Sequence, residues 1–339
     1  MNEKLIDDIY TIGERLRKAH RALKEELVVQ EISHMEGKAT REQFVVFTKP
    51  ELLHNATPRQ FRTILVEFFD RFRDLGVEIE RVLITNSLFL KKYGLIDKCY
   101  ERLNLVSRSG LRACSSSHRS IISKEIEECQ IALKNVLGGD RFLERFSRCD
   151  SQLLGELIDN LGCKKFGAGI YGTHINVEGE RYLVLNGFYP AQRAWLEGQN
   201  DIAIAFSLNA LNSWKWLRRN LIGDIFPSNS EPTSIRGLCW ANRDRYKIGR
   251  VDIARNCIHF AANPVDAALY MKHLFGIQLA RTNLGYLARN QGLGISKVLK
   301  IYRDKNLTAK GKKVDLRDLI EDTTTKKTLS IIRSLLDDC

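Results

Sequence analysis

The stretch RNCIHFAANPVDAALYM (255–271) sets a short apolar run, closed by the single histidine His259 and a phenylalanine, against an Asn263-Pro264 pair. NCIHF (256–260) suits a short strand. Asn263-Pro264 suits a helix start, because the N–H that proline lacks would have no partner in the first turn. A strand that ends just before a helix puts its imidazole at the rim of a sheet. There it is either a hydrogen-bonded edge residue or a nucleophile at the mouth of a site.

The segments upstream repeat this alternation. DIAIAFSL (201–208) reads as a strand, and ALNSWKWLRRNLI (210–222) as a helix ended by Gly223. FVVFT (44–48) is a β-branched and aromatic run. Thr57-Pro58 opens a helix whose apolar face is Phe61, Leu65, Phe68, Phe72 and Leu75, and Gly76 stops it. VEIERVLIT (77–85) alternates with period two, as a half-buried strand does, and Ser87 caps a helix through about 103. The order β-α-β, helices, β-α-β predicts an α/β (α+β) chain with a ferredoxin-like, split βαβ antiparallel sheet and helices on one face.

Around this core the pattern changes. Leu5, Ile9, Ile12, Leu16, Ala19, Leu23 and Leu27 form a stripe on one face of a helix over 3–32, and SHMEGKATRE (33–42) reads as a linker. A block from about 104 to 180 holds two helices (119–137 and 150–161) and a glycine-rich hairpin. From about 277 the chain is helical and basic, with KNLTAKGKK (305–313) as a solvated loop. The domain reading is 1–40 for an N-terminal helix, 41–104 and 181–276 for the core, 105–180 for an insertion, and 277–339 for a C-terminal extension.

The 339 residues carry 53 Lys and Arg against 41 Asp and Glu, a net charge of +12 that favours an anionic partner. The eight cysteines include no CxxC pair and none at zinc-finger spacing from a histidine, so they read as free thiols, and no protein-held metal is expected. The N-terminus lacks the basic and apolar regions of a signal peptide. No apolar run reaches the roughly 18 residues that span a bilayer. The expectation is a cytoplasmic protein with no membrane partner. GAGIYG (167–172) matches GxGxxG, but strand-like residues follow it where a dinucleotide fold needs a helix, so it reads as a turn or hairpin, with a phosphate-touching loop as the alternative.

Taken in order, FVVFTKPELL, LKKYGLID, NGFYPAQRAWL, WLRRNLIG, SIRG and RNCIHFAAN resemble the nucleoside diphosphate kinase family over about 44–104 and 181–276. The resemblance maps the family's lysine-proline-acid turn onto Lys49-Pro50-Glu51 and its tyrosine onto Tyr93. The base-stacking phenylalanine falls on Phe188, and the two phosphate-binding arginines on Arg219 and Arg236. The asparagine and the catalytic histidine fall on Asn256 and His259. It implies phosphoryl transfer from a nucleoside triphosphate to a nucleoside diphosphate through phospho-His259, with Mg²⁺ bound through the nucleotide phosphates. A nucleotide-binding or sensing module, or a phosphotransferase with a larger acceptor, are the alternatives. Homo-oligomers are implied as well, and the insertion and basic C-terminus are surfaces for a nucleic acid or protein partner.

The chemistry stands on the residues themselves. A migrating phosphoryl group needs cations around it, and Lys49, Arg219 and Arg236 supply three. A neutral imidazole nitrogen is nucleophilic near pH 7. The chain departs from the family after His259, where Phe260-Ala261-Ala262-Asn263 replaces a serine-bearing turn. It also has no carboxylate about ten residues further on, where the family orients its imidazole. No clear phosphate-binding threonine follows Gly223, and the segment between SIRG and RNCIH is long.

Overall fold

The computed structural model describes residues 3–32, 41–198, 202–252 and 254–337. Among them the strands are β1 (Leu27–Glu31), β2 (Glu42–Thr48), β3 (Glu78–Thr85), β4 (Val136–Gly138), β5 (Lys164–Gly167), β6 (Ile170–Val177), β7 (Glu180–Leu185), β8 (Ala203–Ala210), β9 (Ile258–Phe260), β10 (Thr308–Ala309) and β11 (Lys312–Lys313). The chain folds as an α+β protein in two units. Unit 1 comprises Met1–Cys99, Trp195–Ile295 and Asp322–Thr328. Unit 2 comprises Tyr100–Ala194, Ser296–Glu321 and Leu329–Cys339.

Unit 1 is built on an antiparallel five-stranded sheet of order β1-β3-β8-β2-β9. All eight residues of β8 are buried, as a strand flanked on both edges and covered on both faces requires. The helix Pro58–Asp74 begins as its sequence dictates. Thr57 and Gln60 form a reciprocal capping box, and Pro58 sits where its missing N–H costs nothing. Its Phe61, Ile64, Leu65, Phe68, Phe69 and Phe72 are buried. Phe72 meets Phe206 of β8 with ring centroids 5.5 Å apart. Each such side chain contributes about 1.5–3 kcal/mol by leaving water. Gly76, at φ +63°, ends this segment.

Two expectations for this unit need correction. The helix expected over 3–32 stops at Arg21. Leu23 takes φ +55° and is 83% exposed, and the β-branched Val28 and Val29 pair along the edge of β3 instead. The stripe therefore runs across a helix end into a strand. The single helix expected from Ser87 to about 103 is three short ones, Ser87–Lys92, Leu95–Cys99 and Glu101–Ser109. Gly94, at φ +57°, breaks it after Tyr93. The expected linker falls at 33–42, of which 33–40 lie outside the described residues.

Unit 2 has its own four-stranded sheet, β4-β7-β6-β5. GAGIYG is the β5–β6 turn, with Gly169 at φ +70°, and Glu178-Gly179 closes the β6–β7 hairpin with both residues at positive φ. Because β7 pairs residue by residue with β6, the strand Glu180–Leu185 belongs to this sheet. Residues 181–194, read from sequence with the core, accordingly sit in unit 2. The segment expected as a C-terminal extension divides as well. Residues up to Ile295 and Asp322–Thr328 belong to unit 1, the remainder to unit 2. The lysine-rich KNLTAKGKK forms the β10–β11 hairpin, turning on Lys310-Gly311.

Among the described residues no helix is long and apolar enough to cross a membrane. The cysteines described there are free thiols.

Candidate functional site

The end of β2 and the short β9 lie side by side, with Phe47 opposite His259. The turn after β2 clamps the segment before β9. Lys49 N–H donates to the Cys257 carbonyl at 2.8 Å, and Lys49 Nζ donates to the Ala254 carbonyl at 2.8 Å. Glu51 accepts from Cys257 N–H at 2.8 Å and from Trp195 Nε1 at 3.0 Å. These bonds hold Cys257 at φ +69°, a left-handed conformation that a non-glycine residue adopts only when its surroundings impose it.

Arg236 lies one residue into the helix Ile235–Ala241, and SIRG explains its aim. Ser234 caps the helix by accepting from Gly237 N–H. A Cβ at Gly237 would lie 2.1 Å from the Glu231 carbonyl oxygen, so only glycine fits there. The Arg236 side chain is thereby buried. It donates to the Gly223 and Asp224 carbonyls and to Ile258 in β9, each at 3.2 Å. Asn256 Nδ2 donates to the Ile225 carbonyl at 3.4 Å. Gly223 takes φ +98°, where the chain turns into this carbonyl-rich loop.

The His259 ring stacks on Phe47 at 4.6 Å, and its Nε2 lies 3.0 Å from the Tyr270 hydroxyl. Burial, reinforced by the charges of Lys49, Arg236 and Arg218, holds the imidazole pKa well below its ordinary value. The ring is therefore neutral at pH 7. Burial also lowers the Lys49 pKa to about 8, against the pull of Glu51. The ammonium form still predominates at neutral pH.

Lys49, Arg236, Asn256 and His259 are thus brought together at one end of the unit 1 sheet. The other expected site residues are placed differently. Arg219 points outward, with its side chain 75% exposed and paired to Glu231 at 3.1 Å. Its neighbour Arg218 faces inward, over the Phe260 ring at 5.1 Å and paired to Asp322. Tyr93 is 47% exposed and rests on Phe89 with centroids 4.5 Å apart. Phe188 belongs to unit 2, where its ring meets Tyr171 edge-on at 5.7 Å.

Sequence reasoning missed Arg218 and Tyr270. The doublet Arg218-Arg219 offered two candidates, and helix phase decides between them. Tyr270 was overlooked because the position called for a carboxylate, and a phenol can meet the same nitrogen. No known protein family matches the sequence, and neither does any curated protein.

Proposed function

We propose that unit 1 binds the phosphates of a nucleoside triphosphate and passes the terminal phosphoryl group through His259 to a nucleoside diphosphate. The observation that carries this reading is the half-buried, neutral His259 ring beside Phe47 and Tyr270, within the field of Lys49, Arg236 and Arg218. The sheet order supports it: β2, β3, β8 and β9, taken as strands one to four, lie in the order 2-3-1-4 once β8 is counted third and β1 is set aside as an added edge. That order is compatible with a ferredoxin-like core of nucleoside diphosphate kinase type. The sequence motifs that resemble this family lie on those strands and their connections.

The chemistry follows from the hydrogen bonds. In the tautomer whose Nε2–H donates to the Tyr270 hydroxyl, the lone pair sits on Nδ1, and this is the tautomer the reading requires. Nδ1 attacks the γ-phosphorus, the bond from phosphorus to the bridging oxygen breaks, and the diphosphate leaves with the electron pair. A second diphosphate then attacks phosphorus, the P–N bond breaks, and neutral His259 is restored. Lys49 and Arg236 offset the charge on the phosphoryl oxygens. Both now donate to backbone carbonyls, and a phosphate oxygen is a stronger acceptor than a carbonyl. Tyr270 orients the ring as a carboxylate would, but it does so without a negative charge.

Mg²⁺ has no protein cage in this reading. It prefers oxygen donors in octahedral array, and the charged side chains gathered around His259 are cations. Its ligands are the nucleotide phosphates and water, and no step is routed through it.

The second reading, a nucleotide-binding module with little turnover, is favoured by the neutral Tyr270 and by the outward Arg219. One experiment separates the two. Incubation with γ-labelled ATP should leave acid-labile, base-stable label on the wild type. Label should be absent from His259→Ala and reduced about tenfold in Tyr270→Phe, the scale of a lost orienting hydrogen bond. Full labelling of His259→Ala removes the transfer reading. Tight triphosphate binding without label on the wild type establishes the binding module.

A further inference from the structure

Unit 2 contains a group of side chains that phosphoryl transfer does not use. Glu125 is on the helix Ser116–Glu128, and Cys129, four residues on, is its C-cap. That spacing puts both side chains on one face of the helix. His174 reaches them from β6. Its Nε2 lies 2.9 Å from Glu125 Oε1, and Cys129 Sγ lies 3.9 Å from the same oxygen. One donor atom from each residue falls within 4.8 Å of the other two. Glu125 is 7% exposed, whereas the His174 side chain is 40% exposed, so the group is rooted in the unit and open at one side.

We infer that Glu125, Cys129 and His174 form a binding site for a divalent transition metal of the Zn²⁺ class, with one coordination position left to water. A thiolate, an imidazole and a carboxylate are together a donor set that zinc accepts and that Mg²⁺ and Ca²⁺ do not favour. Tetrahedral zinc holds its nitrogen and oxygen ligands about 3.3 Å apart, given bonds of about 2.0–2.1 Å. The 2.9 Å between His174 Nε2 and Glu125 Oε1 is somewhat shorter, and the 3.9 Å between Cys129 Sγ and Glu125 Oε1 somewhat longer than the roughly 3.5 Å that a sulfur and an oxygen ligand take, so the side chains adjust to admit the ion. Lys164 occupies Glu125 Oε2 and leaves Oε1 turned toward His174. It acts as the outer partner that fixes a ligating carboxylate. On binding, the Cys129 thiol loses its proton to solvent and the sulfur–metal bond forms, with no change in oxidation state. The three ligands and open fourth position match the layout in which zinc acidifies a bound water. The inference is independent of the reading of unit 1.

The test uses the full chain, stripped with a chelator, and Co²⁺ as the probe. One Co²⁺ per chain should give the absorption bands of a tetrahedral site and a thiolate-to-cobalt charge-transfer band, both abolished by added Zn²⁺. Cys129→Ser should remove the charge-transfer band, and His174→Ala should weaken binding at least about tenfold. Cys163→Ser, which removes a thiol that bonds Thr173 and lies outside the three-residue group, should change neither. Metal-free thermal melts confirm that the variants fold. A wild type without the charge-transfer band overturns the assignment, because the three residues are then only an ion-paired cluster with Lys164. A band that survives Cys129→Ser, or one that vanishes with Cys163→Ser, also overturns it.

Discussion

Two clusters of buried charged side chains, one in each unit, are satisfied in different ways. In unit 1 two of the cations near His259 are bonded to backbone carbonyls: Lys49 to Ala254, and Arg236 to Gly223, Asp224 and Ile258. In unit 2 the corresponding network is side chain to side chain. His118, with no exposed surface, bonds Ser115 Oγ through Nδ1 and Asp318 Oδ2 through Nε2, each at 2.7 Å. Arg102 bridges His118 and Asp315, and Asp318 also accepts from Ala168 N–H. Burial pushes the Asp318 carboxyl pKa up, but the bonds from His118 and Ala168 outweigh it and hold the pKa below its usual value. A cation resting on carbonyls can exchange them for a better acceptor. A cation or imidazole locked to carboxylates cannot do so without leaving a buried charge unpaired. The first arrangement suits a ligand, and the second suits a tie between distant segments.

The most severe test of this contrast is His118→Ala. It empties a fully buried site and leaves Arg102 and the part-exposed Asp318 without their imidazole partner, so stability should fall by about 3–5 kcal/mol, measured by denaturant midpoint. A loss under about 1 kcal/mol would mean that the network is not a structural tie, and the distinction between the units would collapse.

Next in size is a pH effect centred on Lys49. Its folded pKa of about 8 lies below the ordinary lysine value of 10.5. Between those values the unfolded chain binds more protons, so stability rises with pH in that window. Below about pH 8 the folded protein bears the full cost of a buried ammonium, about 3 kcal/mol. Relative to Lys49→Met, the wild type should gain about 2 kcal/mol between about pH 8 and pH 10. A difference that stays flat with pH would show that Lys49 is well solvated. His259, whose pKa is also depressed, acts in the same direction on the acid side, with stability lost as pH falls below 6.5.

The smallest expected effect is the most discriminating for helix phase. Arg219→Ala should change stability by less than about 0.5 kcal/mol, because its ion pair with Glu231 is exposed. A triphosphate affinity that falls tenfold or more would show that the outward arginine swings in, and that the site is larger than the Lys49, Arg236, Asn256 and His259 group.

Local features of this fold were legible in the sequence. Thr57-Pro58 and Gly76 bound a helix as their chemistry requires. The strands VEIERVLIT and DIAIAFSL lie where alternation and apolar content place them. What failed was reading across a boundary. Leu23 and Leu27 continue a helical stripe by spacing alone, yet one is exposed past the helix end and the other is in a strand. Phe188 follows a strand whose partner is β6, a pairing that spacing cannot disclose. The group Glu125, Cys129 and His174 was invisible because two of its members share a helix and the third comes from a hairpin.

The pairing of β2 bears on how the chain is made. Val46 is matched with Phe206 on one edge and with Phe260 on the other, so both neighbours of this apolar strand are synthesised long after it. During translation the backbone donors and acceptors of Phe44–Phe47 wait unpaired while all of Tyr100–Ala194 is made. Such an edge recruits other strands, including those of neighbouring nascent chains. Chaperone demand and losses during expression should therefore track the delay between residue 48 and residue 260, and slow translation across unit 2 should lower the yield of folded protein.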